Sequence, residues 1–177
     1  MIAIYRRSAS FRPACLALIL SATGLHAQTP APAPATPPPA PAPAVAAPAA
    51  DFGDFSSAAI TGKAWAAFTA KDYPLVLVYT AKCRELFEPQ AVAMQKTLTA
   101  VPTENQHSFW ALNDVGTCYY LQGQSQQAMG KTPEAITSYK FLVDNLSFAQ
   151  CWDTKGWFWK PADAARGQLK TLEFGAL

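Results

Sequence analysis

Histidine and cysteine are scarce in this 177-residue chain, with two and four copies. A Ser-His-Asp or Cys-His nucleophile needs a histidine base. His26 falls in a leader described below, so that chemistry would rest on His107 alone. With Gln106 and Ser108 beside it, His107 sits at an expected helix start, where a capping or solvent-facing role is the simpler reading. Zinc wants three or four Cys, His or acidic ligands. No C-x-x-C pair occurs, so no metal is expected. G-x-x-x-x-G-K-[ST] and G-x-G-x-x-G are both missing, which excludes the standard phosphate loops, and no cofactor is expected. Charge is sparse at 15% and close to balanced at +2. No basic patch exists, which argues against a nucleic-acid partner. Alternating strand patterns are poor, and the chain reads as all-α.

Long apolar runs are also missing. The first one, Ala14 to Leu20, is far shorter than the roughly 20 residues a bilayer span needs. Arg6, Arg7 and Arg12 precede it, and Leu25-His26-Ala27 ends in a small residue. Residues 1–27 therefore read as a secretory signal peptide, with no transmembrane segment after cleavage. Cys15 lies inside the apolar run, which fits a lipoprotein poorly. Cleavage removes three cations and no acid, so the remaining chain is slightly acidic. The expected location is the periplasm. Residues 28–50 are almost entirely Ala and Pro. Such a segment favours extended polyproline II and spans roughly 60 Å at about 3.1 Å per residue. It is a tether through the envelope or a leader with no task of its own.

Residues 51–177 make one ordinary domain. Ser56 or Ser57 suits the start of a helix through Ala58, Ile60, Ala64, Ala67 and Phe68. Lys71-Asp72-Tyr73-Pro74 is a turn, and a second helix follows through Val76, Tyr79, Cys83 and Leu86. Glu88 to Thr99 extends that helix or forms an extra one. Val101-Pro102-Thr103-Glu104 breaks the chain. A third helix then carries Leu112, Val115, Gly116, Tyr119 and Gly123 on one face. Gly116 inside that face points to close approach by a neighbour. Gly130 suits a left-handed residue closing this helix. Thr132, Pro133 and Glu134 suit the cap, first position and first turn of a fourth. Pro161 and Asp163 open a last helix with the stripe Ala162, Ala165, Leu169 and Leu172. An aromatic loop with Trp152, Trp157, Phe158 and Trp159 precedes it.

Leu112, Gly116, Tyr119, Gly123, Ala135 and Tyr139 together resemble a tetratricopeptide repeat (TPR). The spacing departs from that family, because Gly123 and Gly130 stand where it has one turn glycine. Seven residues add two helical turns with about 20° of drift, so the face is kept. KDYPLVLVYTAKC resembles a TPR turn and second helix too, with Pro74 aligned on Pro133. Those prolines are 59 residues apart, so no regular repeat near 34 is present. The pairing of FWALNDVGTCYY with AQCWDTKGWFWKPA resembles a family of small secreted bacterial TPR-like proteins, sometimes labelled glucanase precursors. The resemblance implies a stack of about five or six helices with a C-terminal capping helix.

Two site expectations follow. With Leu112, Val115, Gly116 and Tyr119 in the core, Trp110, Asn113, Thr117 and Tyr120 form a second stripe. The resemblance implies that these four line a groove for a protein or peptide partner. The plainer alternative is that Trp110 and Tyr120 pack under the aromatic loop or the extended second helix. In an oxidising compartment Cys118–Cys151 is the favoured disulfide, with Cys83–Cys118 as competitor and three buried thiols as the plain alternative. No catalytic residue is expected. The alternative function is a glycan-binding or glucan-hydrolysing protein, using the tryptophan loop with Asp114, Asp144, Asp153 or Asp163 as carboxylates. For Asp114, a bond across a helix contact is the simpler expectation.

Overall fold

A computed structural model describes residues 50–174. The expected signal peptide (1–27) and nearly all of the Pro/Ala-rich linker (28–50) lie outside the described residues. Among the described residues five α-helices follow in chain order: α1 (Ser57–Thr69), α2 (Tyr73–Lys96), α3 (Trp110–Ala128), α4 (Thr132–Asn145) and α5 (Pro161–Phe174). A 3-10 turn, Gln106–Phe109, leads into α3. The fold is all-α, with one small antiparallel ribbon of β1 (Cys151–Asp153) and β2 (Trp157–Trp159). No helix among the described residues is long and apolar enough to cross a membrane.

Local chemistry sets the helix ends. The Ser56 side chain accepts the Ala59 N–H, and the Asp72 side chain accepts that of Leu75. Lys71 takes a left-handed φ of 60° to make the turn between α1 and α2. Gly130 does the same for α3 and α4 at φ 73°. The expected cap of α4 is displaced by one residue. Lys131 occupies the cap without a side-chain bond, and Thr132 is already helical. The segment after Leu86 is an extension of α2, which runs on through Pro89 to Lys96. Pro89 removes one N–H from the helix ladder, a loss the long packed helix tolerates.

Each helix packs on the next, and α3 also packs on α1 and α5. Thus α3 is central. Leu112, Val115, Cys118, Tyr119 and Leu121 are buried on it. Its two buried glycines have different tasks. A Cβ at Gly123 would stand 2.4 Å from the fully buried Tyr139 ring, so α4 needs a glycine there. At Gly116 a Cβ would meet Ala149 Cβ at 2.4 Å. The close neighbour at Gly116 is therefore the segment after α4. On α5, Ala162 and Ala165 are buried, and Leu169 and Leu172 pack against the core.

The aromatic loop is more ordered than the sequence implies. Trp152 pairs with Phe158 across the ribbon, and Gly156 turns it at φ 105°. The Lys155 N–H donates to Asp153 Oδ1 inside that turn. Trp159 meets Tyr120 with ring centroids 5.3 Å apart, which ties the ribbon to α3.

Candidate functional site: an aromatic groove between the first and third helices

Helix α1 offers Ala58, Thr61, Gly62 and Trp65, and α3 offers Trp110, Asn113, Asp114 and Thr117. Both sets step by 3, 1 and 3, one face of a helix. The two faces look at one another across a cavity of about 390 Å³. The ribbon closes it with Cys151, Trp152 and Phe158, and His107 stands on the rim. The opening continues past Trp110 toward Phe87 and Ser56. In the other direction it continues past Trp65 and Trp152 toward Asp153 and Trp159. The result is a groove with aromatic walls.

The four groove residues expected on α3 have separate fates. Trp110 is 40% exposed and forms a wall, with its ring edge-on to Phe87 at 5.6 Å. Asn113 faces the cavity, but its amide is engaged. Its Nδ2 donates to the Gln106 carbonyl at 2.9 Å, and its Oδ1 accepts the Gln150 N–H at 2.8 Å. One side chain thus holds the 3-10 turn and the approach to the ribbon. Thr117 is 3% exposed, and its hydroxyl donates to the Asn113 carbonyl. Tyr120 lies outside the cavity, against Trp159 and Tyr139, and its hydroxyl accepts from Gln124. Tyr120 is thus packed between the ribbon and α4.

Asp114 bonds across a helix contact, accepting the Ser57 hydroxyl of α1. Burial raises its pKa above the ordinary 3.8, and the Ser57 bond offsets part of that rise. It is the sole carboxylate on the cavity wall among the described residues, and no lysine or arginine lines that wall. Asp153 belongs to the neighbouring stretch of groove, not to this cavity.

The expected Cys118–Cys151 disulfide is not formed. Cys83, Cys118 and Cys151 are all free thiols. Cys118 points to the α1–α2 side, where Thr61 Oγ1 lies 3.4 Å from its sulfur and 3.8 Å from that of Cys83. Cys151 lies by Thr117, the preceding residue on α3. Consecutive helical residues point about 100° apart, so these two sulfurs approach different faces. Burial raises the pKa of Cys151. That is the reverse of the activation a thiolate nucleophile needs. No group of three or more His, Cys, Asp or Glu among the described residues is placed to hold a metal.

Trp65, Asp114 with Ser57, and the Gln150 clamp were not singled out by the sequence reading as parts of one groove. The available signal was the matching 3, 1, 3 step on α1 and α3. It was hidden because Ala58, Thr61 and Gly62 have no common chemical character. Compared with known proteins, the chain matches no family model, no curated protein and no solved structure.

Proposed function

We propose that this is an extracytoplasmic TPR-like interaction module that holds a peptide segment of an envelope protein in the groove between α1 and α3. The signal-like leader and the Ala/Pro tether direct the reading to the periplasm. The observation that carries it is the meeting of Trp65, Trp110 and Trp152 around one open cavity. Rigid aromatics with few rotatable bonds make strong anchors for a partner chain. The supporting polar groups, Asn113 and Gln150, are already held in place by their own bonds. A pre-organised groove costs less to fill.

The test is capture of envelope proteins, followed by peptide mapping of the bound segment. Trp110→Ala and Trp65→Ala should lose the mapped peptide while keeping a helical circular dichroism spectrum. Retention of the peptide by both folded variants would reject the groove.

A second reading is favoured by a different observation. Trp152 and Trp157 on the ribbon are 52% and 49% exposed, and flat exposed indoles suit sugar rings. That reading is a glycan-binding or glucan-hydrolysing envelope protein. It predicts a tryptophan fluorescence change with oligosaccharides, and any hydrolysis should fall in Asp153→Asn. Unchanged fluorescence across an oligosaccharide series would remove it.

A further inference from the structure

We propose that the cavity takes the ammonium head of a lysine-type side chain carried by the bound peptide, seated among Trp65, Trp110 and Trp152 and against Asp114. This rests on the peptide-binding reading and deepens it by naming the anchoring residue.

Charge complementarity selects a cation. Asp114 is partly withdrawn from water and has no ion-pair partner among the described residues. Ser57 is the first residue of α1, so the helix dipole offsets some of the cost of a charge there. A full countercharge is still missing. The rest of the wall cannot supply one, since no lysine or arginine lines it. An anionic ligand would meet a carboxylate and no cation. An incoming ammonium would satisfy Asp114 and meet indole rings, whose faces attract cations.

Hydrogen-bond bookkeeping selects the kind of cation. Asn113 spends its amide nitrogen and oxygen, Thr117 its hydroxyl hydrogen and Gln150 its Nε2 within the protein. Asp114 uses Oδ2 for Ser57 and leaves Oδ1 without a protein donor among the described residues. One free oxygen suits a single N–H donor. A guanidinium prefers both oxygens at once. A quaternary ammonium has no N–H to offer that oxygen. A primary ammonium fits the remaining site best.

The experiment titrates the purified protein with n-butylammonium, 1-butanol and tetramethylammonium, read by tryptophan fluorescence and calorimetry. n-Butylammonium should bind about tenfold more tightly than 1-butanol. Asp114→Asn, which still accepts from Ser57, should abolish that preference. Should Asp114→Asn fail to fold, Trp152→Ala on the exposed ribbon carries the test and should weaken n-butylammonium several-fold. Equal binding of amine and alcohol overturns the proposal, as does a preference that survives Asp114→Asn. Tighter binding of tetramethylammonium than n-butylammonium also overturns it, in favour of a small quaternary ligand. The two readings fail separately. A mapped peptide that n-butylammonium does not displace overturns the lysine anchor and leaves the groove. Amine binding through Asp114 with no captured peptide supports the cavity chemistry and overturns the peptide partner.

Discussion

The two long sides of α3 differ in how completely their side chains are used. Toward α2 and α4 they bond to one another, around a second cavity of about 360 Å³. Arg84 bonds to Glu88 at 3.2 Å and to Gln122 at 2.9 Å, and its guanidinium lies over the Tyr119 ring at 4.4 Å. The Tyr119 hydroxyl donates to Glu88, Gln122 donates to Ser138, and Ser138 donates to Gln126. Tyr119 also stacks on Phe141 at 4.3 Å. Toward α1 and the ribbon, Trp110 is 40% exposed and one oxygen of Asp114 has no protein donor among the described residues. A satisfied network rigidifies a fold, whereas exposed aromatics beside a half-buried acid are groups left for something else. Both sides of α3 border a cavity, and the contrast is that polar groups are spent on one another on one side and left over on the other.

That division is open to direct attack. The largest expected effect is on the side of α3 that faces α4. Gly123→Ala drives a Cβ into the Tyr139 ring, which is buried and cannot turn away. It should cost about 1–3 kcal/mol, seen as a lower midpoint in denaturant, with little change in any groove ligand's intrinsic affinity. A smaller loss is expected for Tyr119→Phe. It removes one hydrogen bond to Glu88, which still pairs with Arg84, so about 1 kcal/mol is expected from the same melts. On the groove side, Trp110→Ala gives up the edge contact with Phe87 and the burial of an indole that is 40% exposed, and should cost less than the roughly 3–5 kcal/mol of a fully buried tryptophan.

Asp114 gives the comparison a pH dependence. Its pKa is raised in the folded protein, first by burial. The folded state therefore holds that proton to higher pH than the unfolded chain does. Stability from this group is complete at low pH and falls as pH rises from the ordinary 3.8 through the higher folded value. The groups nearby are the Ser57 hydroxyl, the Cys118 and Cys151 thiols, and His107 on the rim. Asp114→Asn should remove that fall, as read from unfolding midpoints across a pH series. An unchanged slope would mean Asp114 is better solvated than the structure implies. The smallest effect concerns the thiols. Cys151 should react with a thiol reagent before Cys83 and Cys118, which are fully buried. Simultaneous reaction of all three would indicate global opening.

The helices were legible because their signals are local. Ser56, Gly130 and the stripe Ala135, Tyr139 and Leu142 act within a few residues. The ribbon was not legible. Three-residue strands leave almost no alternation to read, and this pair depends on Gly156 for its turn and on Tyr120 for its seat. The groove was half legible. The offsets placed Trp110, Asn113 and Thr117 on one face correctly. They could not tell that Asn113 spends both ends of its amide on Gln106 and Gln150, 7 and 37 residues away in sequence. The disulfide expectation failed for a similar reason. Closeness along the hairpin brings Cys151 to α3, but the helix turns Cys118 toward Thr61 and Cys83 instead.

The most direct test of the functional division of α3 is one paired measurement on Trp110→Ala: thermal unfolding by circular dichroism, and affinity for the peptide mapped from the captured partner. A lowered but still cooperative unfolding transition with at least about tenfold weaker binding is the predicted result. A folded variant that binds as before, or one that unfolds and so marks Trp110 as core, would contradict it.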